Sequence, residues 1–258
     1  MDLGIAGRTA IVAASSRGLG FACAEALARE GVAVTLNAAT RPAWPTRPPL
    51  VERHGATVRT VAGDVGDPAT RDALLDACPA PDILVTNNGG PPPGRFADWD
   101  RAAWIAALDA NMLAPLDLIR RALPGMVDRR FGRIVNITSA LVKTPLSPMG
   151  LSTGARTGLT SVAKALSKDV ASANVTINNL LPERIDTGRQ RQMAELHASL
   201  AGITVEEAYA HMATTIAAGR LGRPEEVGDA CAFLCSAQAG FISGQNLQLD
   251  GGSSAGLI

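Results

Sequence analysis

Thr9-Ala10-Ile11-Val12-Ala13-Ala14-Ser15-Ser16-Arg17-Gly18-Leu19-Gly20 begins as an apolar run and closes on two glycines. Helix-forming residues 21–30 follow at once, so this stretch predicts a strand, a tight turn and a helix. Glycine at positions 18 and 20 lets the backbone approach a pyrophosphate, whose charge the helix N-terminus favours. Tight turns that bind nothing also use glycine, so the rest of the chain has to decide between the two interpretations.

Short apolar runs rich in β-branched residues recur along the chain, separated by longer Ala- and Leu-rich stretches. The predicted strands are Thr9–Ala13, Ala33–Leu36, Thr57–Val61, Ile83–Thr86, Arg133–Ile137, Thr176–Leu181 and Asn246–Leu249. Strands that are apolar on both faces and more than a dozen residues apart suit a parallel sheet covered by helices on each side. The sequence therefore predicts a single α/β domain over residues 1–258, with a doubly wound, seven-stranded parallel sheet in three α/β/α layers.

Composition narrows the class of ligand. The chain has 258 residues, 47% of them hydrophobic, with 24 basic against 24 acidic residues, so no strong field draws it to nucleic acid or to a membrane. The four cysteines lack metal-ligand spacing and are expected to be core thiols in a reducing compartment, with no metal site. The first residues lack a signal-peptide pattern, and no run of about 20 apolar residues is seen. These features predict a cytoplasmic protein with a small-molecule ligand.

Polar residues follow the third and fourth predicted strands. Asp64-Val65 closes the third, and Asn87-Asn88-Gly89-Gly90 closes the fourth. In doubly wound folds ligands lie at this carboxyl edge of the sheet. The spacing therefore brings both segments to the edge where the glycine turn lies.

Taken together, these motifs resemble the short-chain dehydrogenase/reductase family, in particular its 3-oxoacyl-acyl-carrier-protein reductase-like members. The turn is similar to the family's Thr-Gly-x-x-x-Gly-x-Gly, with Ala13 and Ala14 in the first two places, and residues 87–90 resemble Asn-Asn-Ala-Gly. Pro182 begins a Pro-Gly segment in which Glu183 replaces glycine. Further matches are Asp64, Asn111, Ser139, Gly222-Arg223-Pro224-Glu225-Glu226, Gly244-Gln245 and Asp250-Gly251-Gly252. The resemblance covers nearly the whole chain and implies a Rossmann-type fold that binds a nicotinamide dinucleotide.

The choice of dinucleotide follows from charge. An NAD site of this kind places an acid after the second strand, where this chain has Asn37-Ala38-Ala39-Thr40 and no acid before Glu52. Arg17 and Arg41 are instead positioned to meet a 2′-phosphate, unless both are solvated surface charges. We therefore expect NADP, with NAD the less favoured alternative. The expected cofactor-binding residues are Ser15, Ser16, Arg17, Gly18, Leu19, Gly20, Asp64, Val65, Asn88, Gly89, Arg156 and Pro182.

The family resemblance also implies catalytic residues, two of which are altered. Asn111 lies in a helical run predicted from Arg101 to Arg121, and Pro115, four residues on, cannot bond to the carbonyl of Asn111, which would be free to hold a water. Ser139 ends a strand at the ligand edge. Where the family has Tyr-x-x-x-Lys, this chain has Ser152-Thr153-Gly154-Ala155-Arg156, so Ser152 and Arg156 are the altered members of the site.

These replacements change the expected chemistry. A serine hydroxyl is a much weaker acid than the family's tyrosine, and an arginine can hold an oxyanion but cannot relay protons. A proton could come instead from Lys143, Tyr209 or His211, or the substrate could be an iminium that needs no acid. The leading interpretation is an NAD(P)H-dependent reductase of a carbonyl or related group. The alternatives are a nucleotide-binding sensor or assembly subunit without turnover, and a non-redox reaction on the same scaffold.

Residues 187–219 fall where the family has its substrate lid. They are predicted to be helical, with apolar residues spaced to line one side: Met193, Leu196, Leu200, Ile203, Ala208 and Met212. Arg189 and Arg191, if not simply exposed charges, would meet an anionic substrate, and the loop 140–151 is largely apolar. The predicted helix Gly154–Ala171 has a broad apolar face, and in the family this helix and the one containing Asn111 build a homodimer or homotetramer.

Overall fold

Seven parallel strands form one sheet in the computed structural model, which describes residues 2–39 and 53–256. The strands are β1 (Thr9–Val12), β2 (Ala33–Ala38), β3 (Val58–Ala62), β4 (Ile83–Thr86), β5 (Gly132–Ile137), β6 (Val175–Pro182) and β7 (Asn246–Leu249). Their order is β3-β2-β1-β4-β5-β6-β7, so the winding reverses between β1 and β4. This confirms the predicted doubly wound, seven-stranded architecture.

The sheet is covered by helices on both faces, as its apolar strands require. The helices among the described residues are α1 (Gly18–Arg29), α2 (Pro68–Ala77), α3 (Arg101–Leu108), α4 (Ala114–Asp128), α5 (Gly150–Val170), α6 (Gly188–Ala201), α7 (Val205–Thr214) and α8 (Pro224–Cys235). Alternate residues of β1 enter opposite core clusters: Ala10 and Val12 join the one with α1 and α8, whereas Ile11 joins the one with α4 and α5. All four cysteines are buried in these clusters, as expected of core thiols.

A ladder of polar side chains crosses four neighbouring strands inside the core. The Thr86 hydroxyl donates to Asn136 Oδ1 at 2.7 Å, Asn136 Nδ2 to Asn179 Oδ1 at 2.9 Å, and Asn179 Nδ2 to Asn246 Oδ1 at 2.8 Å. The strand register places these residues directly opposite one another. We call this set the asparagine ladder; each buried amide in it has a partner, which avoids the cost of an unpaired polar group.

Two helix predictions need correction. The run predicted from Arg101 to Arg121 continues to Asp128 and passes through a π-helical segment, Asp109–Leu113, between α3 and α4. The helix predicted from Gly154 begins at Gly150, because residues 147–149 form a 3₁₀ turn that leads directly into it. Gly150 also faces the ring of Trp99, only 2.7 Å from where a Cβ would lie.

The predicted lid is two helices rather than one helical stretch. Gly202, with φ +68°, ends α6, and the Thr204 and Glu207 side chains form a capping box that begins α7. The predicted apolar face is also divided, and the division already occurs within α6. Met193, Ala208 and Met212 pack together, whereas Leu196, Leu200 and Ile203 are exposed.

Helical residues 101–128 are long and apolar enough to cross a membrane by length and composition alone. Their Leu118, Ile119, Ala122 and Met126 side chains instead pack in the core cluster beneath the sheet. Core helices of α/β domains pass the same test.

Candidate active site

The glycine turn is held closely against the sheet. A Cβ on Gly20 would lie 2.5 Å from the Ala14 carbonyl oxygen and 2.9 Å from Asn87 Nδ2, so only glycine fits there. Gly18 adopts φ +59°, and Arg17, which precedes α1, makes no side-chain cap. The first N–H groups of α1 are therefore left for a ligand, as a dinucleotide site requires.

The lid begins opposite this turn. A Cβ on Gly18 would lie 3.8 Å from Thr187 Cγ2, and Thr187 is the residue that caps α6. The N-terminus of α6 therefore lies close to the start of α1, and both helix dipoles favour negative charge there. This arrangement fits the diphosphate of a dinucleotide.

Side chains from β2 and β4 fix the conformation of the turn. Asn37 Oδ1 accepts from the Ala14 amide at 3.1 Å, and Asn87 Nδ2 donates to the Ala14 carbonyl at 3.2 Å. Ser15 Oγ donates to the Val12 carbonyl at 2.7 Å and accepts from the Asn37 amide at 3.0 Å. The buried Ser15 hydroxyl is thus used by the fold, and so is the Ser15 amide, which donates to the Asn37 carbonyl at 2.7 Å, so neither donor of this residue is left for a ligand. From the sequence, Asn37 was considered only because it is not an acid, and its role in holding the glycine turn was not predicted.

The remaining predicted cofactor residues lie along the same edge. Asp64 is exposed and its Oδ1 accepts from the Gly66 amide at 2.8 Å, while Val65 is buried beside it. Gly89 is exposed, a Cβ on it would have no neighbour within 4 Å, and Asn88 Nδ2 donates to the Ala110 carbonyl at 3.1 Å. We call the carboxyl edge of the sheet from the glycine turn to Gly89, where this space is open, the groove. Ser16 and Leu19 are half-buried in that turn, and Pro182 is half-buried at the end of β6.

Of the two arginines expected to meet a 2′-phosphate, Arg17 is the one that the structure describes. Its side chain is exposed at the start of α1 and forms no salt bridge within residues 2–39 and 53–256. Arg41 and the proline-rich loop around it lie outside the described residues. The last residues of β2, Asn37 and Ala38, carry no acid, in agreement with the expected preference for NADP.

Asn111 lies at the centre of the π-helical segment. The Ala114 amide donates to the Asp109 carbonyl, five residues back, and Pro115 has no N–H for the Asn111 carbonyl. The proline is therefore accommodated by a wider helical turn. The Asn111 side chain is 3% exposed, and its Oδ1 has no hydrogen-bond partner in the described part of the chain. A buried acceptor of this kind is normally satisfied by water or a ligand.

Ser139 follows β5 and begins a short 3₁₀ turn. Its Oγ accepts from the Leu141 amide at 3.2 Å, so the hydroxyl hydrogen remains available to donate. The side chain is half-buried at the carboxyl edge of the sheet. This placement suits a donor to a substrate oxygen.

Arg156 is folded back into the protein and makes four hydrogen bonds. Its Nε donates to Ser152 Oγ at 3.2 Å, one terminal nitrogen to the Ile137 and Thr138 carbonyls at 2.8 and 3.3 Å, and the other to the Asn88 carbonyl at 3.1 Å. A guanidinium has five N–H groups, so one is left. Arg156 thus ties the end of β5 to the segment that follows β4.

Ser152 is oriented by this guanidinium. It is 4% exposed, and its oxygen accepts from Arg156, so its own hydrogen is free to donate elsewhere. A Cβ on Gly90 would lie 3.8 Å from Ser152 Oγ and 3.7 Å from the second terminal nitrogen of Arg156. Both buried side chains therefore lie next to Gly90, beside the groove.

The charge on Arg156 has no carboxylate partner among the described residues. Burial, with a further contribution from the nearby Arg189, lowers the pKa of Arg156 to about 10. The guanidinium therefore still carries its charge at neutral pH. A positive charge in such a position is suited to negative charge that develops on a bound oxygen.

The three alternative proton donors considered from the sequence each contact groups outside the Ser152–Arg156 pair. The Tyr209 hydroxyl donates to Asp186, and burial together with this carboxylate raises the pKa of Tyr209 to about 12. Lys143 Nζ donates to Gln248 Oε1 at 3.3 Å on the surface, and exposed His211 lies against His197. Tyr209 is consequently a weaker acid than an ordinary tyrosine.

Glu183 lines a cavity of about 300 Å³ beside β6 and β7, together with Asp250. Burial raises the pKa of the Glu183 carboxyl, and Asp250 adds to the shift, whereas Arg184 opposes it. The replacement of glycine by Glu183 was visible in the sequence, but nothing there indicated a role for it.

Comparisons with known proteins agree with this fold. A family model described as Enoyl-(Acyl carrier protein) reductase matches residues 13–254. The NADPH-dependent reductase BacG of Bacillus subtilis is 31% identical over 95% of this chain and 97% of its own, and the 3-oxoacyl-[acyl-carrier-protein] reductase FabG of Escherichia coli is 29% identical over 95% and 97%. L-Sorbose reductase from Gluconobacter frateurii, solved with NADPH and L-sorbose, superposes with a TM-score of 0.94 at 28% identity, covering 100% of both chains. From its sequence motifs, its sheet and these relatives, this chain belongs to the short-chain dehydrogenase/reductase family.

Proposed function

We propose that this protein is an NADPH-dependent oxidoreductase that reduces a carbonyl or related group on a mainly apolar substrate. The observation that carries the proposal is the convergence of the glycine turn with Ser139, Ser152 and Arg156 at one edge of the sheet. Relatives that are named as NADPH-dependent, or were solved with NADPH, support the choice of cofactor.

The residues at this edge fit a dinucleotide. Gly18, Gly20 and the uncapped start of α1 would hold the diphosphate, Arg17 a 2′-phosphate, and Asp64-Val65 the adenine end. Asn88, Gly89 and Pro182 border the other end of the groove. When bound, the reduced nicotinamide supplies hydride.

The chain's own residues would bind and polarise the group that is reduced. The Ser139 and Ser152 hydroxyls each have a free hydrogen to donate to the substrate oxygen, and the Arg156 charge stabilises the negative charge that develops there. Because serine is a weaker acid than tyrosine, we expect slower protonation than in family members with Tyr-x-x-x-Lys. Loss of a general acid typically lowers the rate by about 10²–10⁴-fold.

One observation favours a second candidate, a nucleotide-binding sensor or assembly subunit without turnover. Four of the hydrogen bonds of Arg156 are made within the fold, so this residue has a structural role that does not need catalysis. The two candidates share the nucleotide site and differ only in the fate of the bound dinucleotide.

The discriminating experiment has two steps. NADPH and NADH are titrated against the purified protein, and absorbance at the reduced nicotinamide is then followed with a panel of carbonyl and imine compounds. A reductase binds NADPH more tightly and oxidises it with some of the panel; binding without oxidation supports the sensor. Failure to bind either nucleotide contradicts both.

A paired variant tests the altered dyad. Ser152→Tyr with Arg156→Lys should create or raise reduction of simple ketones if the groove is otherwise intact, with Ser152→Ala as the matched loss of the hydroxyl. Unchanged inactivity of the double variant would mean that more than the dyad has diverged.

We also place this reductase in the cytoplasm as a homodimer or homotetramer. Support comes from the buried, unpaired thiols and from the helices that contain Asn111 and residues 150–170, which leave Ile105 and Leu113 exposed on the outer side. Light scattering after gel filtration measures the assembly.

A further inference from the structure

Two guanidinium groups flank the groove at Gly90-Pro91. One terminal nitrogen of Arg156 lies 3.7 Å from where a Gly90 Cβ would be, and a terminal nitrogen of Arg189 donates to the Pro91 carbonyl at 3.0 Å. Arg156 comes from α5 beneath the groove, and Arg189 from the start of α6 in the lid. The positive charges therefore approach the same point from two elements.

Neither group forms a salt bridge with a carboxylate within residues 2–39 and 53–256. Other arginines on and around the lid do have acidic partners: Arg191 has Glu195 at 3.6 Å, Arg95 has Asp98 at 2.9 Å and Arg220 has Glu226 at 2.7 Å. Arg156 in particular is 8% exposed and bonded only to carbonyl and hydroxyl oxygens. Charges removed from water in this way are normally compensated by an ion of opposite sign.

Both arginines retain donors for such an ion. Arg156 has one N–H left after its four bonds within the fold, and exposed Arg189 uses one terminal nitrogen for Pro91. A planar guanidinium matches the geometry of a carboxylate and binds it by paired hydrogen bonds. The loop 140–151, which follows Ser139, is largely apolar, with Leu146 exposed on it.

We propose that the substrate is an anion, a carbonyl compound with a carboxylate next to the group that is reduced, and that Arg189 binds this carboxylate. Arg156 lies deeper and faces the oxygen of the reduced group beside Ser152. The same two charges repel a cation, which argues against the iminium substrate considered from the sequence. This inference rests on the proposed function and names the substrate class of that site.

A matched pair of probes tests the charge directly. 2-Oxo-4-phenylbutanoate and 4-phenylbutan-2-one share the ketone and the phenyl tail, but only the first has a carboxylate. Each is titrated calorimetrically into the free protein and into its NADP⁺ complex. We expect the acid to bind at least about tenfold more tightly, the effect of one charge-assisted hydrogen-bonded contact.

Single variants test which arginine causes the preference for the carboxylate probe. Arg189→Met should remove most of it and Arg189→Lys should keep part of it, whereas Arg191→Met, on the same helix but with Glu195 as partner, should leave it unchanged. Affinity for NADP⁺ is measured in parallel for every variant. Because Arg189 is exposed, its replacement leaves the core intact.

Three results would overturn the inference: equal binding of the two probes, a preference that survives in Arg189→Met, or a loss of NADP⁺ affinity in Arg189→Met as large as the loss of probe affinity. The last result would assign Arg189 to the cofactor. The proposed function fails on separate readouts, namely no nucleotide binding or no NADPH oxidation across the panel, and the probe titrations decide the charge preference in either case.

Discussion

At the residue scale, Ala14 stands out because it adopts φ +45° in the position where the family has glycine. The left-handed region costs a residue with a Cβ about 1–2 kcal/mol. The turn holds this conformation because Asn37 and Asn87 bond to both sides of Ala14. The sequence showed the replacement, but the two asparagines that hold it come from separate strands and could be found only in the structure.

Replacing Ala14 by glycine should stabilise the protein. Glycine removes the strain but adds freedom to the unfolded chain, so we expect a net gain of roughly 0.5–1 kcal/mol, seen as a higher midpoint in urea unfolding. Ala13→Gly is the matched control; it lacks a positive φ and should lower the midpoint. A lower midpoint for Ala14→Gly would contradict the claim that the positive φ of Ala14 strains the folded protein.

Glu183 should make stability depend on pH. Its pKa is raised in the folded protein, chiefly by burial, so the folded state holds the proton more tightly than the unfolded state. The carboxyl therefore lowers stability as pH rises from the unfolded pKa, about 4.3, through the folded value. Glu183→Gln should raise the melting temperature above this window and have little effect below it. An equal change at every pH would show that the charge is not the cause.

At the element scale, the strands were more predictable than the helices. Most strands are short apolar runs, and burial on both faces makes such runs conspicuous in the sequence, although β3 has exposed Arg59 and Thr60. The π-helical segment was missed because Pro115 suggests only a local defect, whereas packing of the segment against α5 decides how the helix adapts. The break in the lid did have a signal, since Gly202 and Thr204-x-x-Glu207 are typical helix-end and helix-start residues.

The asparagine ladder should contribute measurably to the sheet. Asn179→Val leaves the amide of Asn136 and the carbonyl oxygen of Asn246 without their partners, which costs about 1–3 kcal/mol for each unsatisfied group that stays buried. Asn246→Val, at the half-buried end of the ladder, should cost less. Urea unfolding of both variants gives the comparison, and equal losses would argue against a connected ladder.

For the whole molecule, the family and the doubly wound sheet could be predicted because several spaced motifs occur in one order along the chain. The contacts of Arg156 could not be predicted, since its acceptors are main-chain carbonyls of Ile137, Thr138 and Asn88, which any residue type could supply. Oligomerisation stays a prediction that rests on exposed apolar residues of the helices around Asn111.

A substitution at Leu113 tests the predicted homodimer or homotetramer. It is 50% exposed on the π-helical segment, and Leu113→Glu should shift the light-scattering mass toward the monomer if this face is an interface. Leu200→Glu, 80% exposed on the lid, is the control and should leave the mass unchanged. A monomeric wild-type protein, or the same mass for the Leu113 variant, would contradict the prediction.

The bonds of Arg156 also constrain how the site can change over evolutionary time. A lysine at this position offers its donors from a single point and cannot reach the three carbonyls that the guanidinium spans, while a tyrosine at position 152 alone would enter a buried space next to an intact arginine. Each single change is therefore disfavoured in the present background, and because the two side chains are bonded to each other their effects are not expected to be additive. A lineage that carries this Ser-x-x-x-Arg is held there by its intermediates, so the pair is expected to be inherited and replaced as one unit.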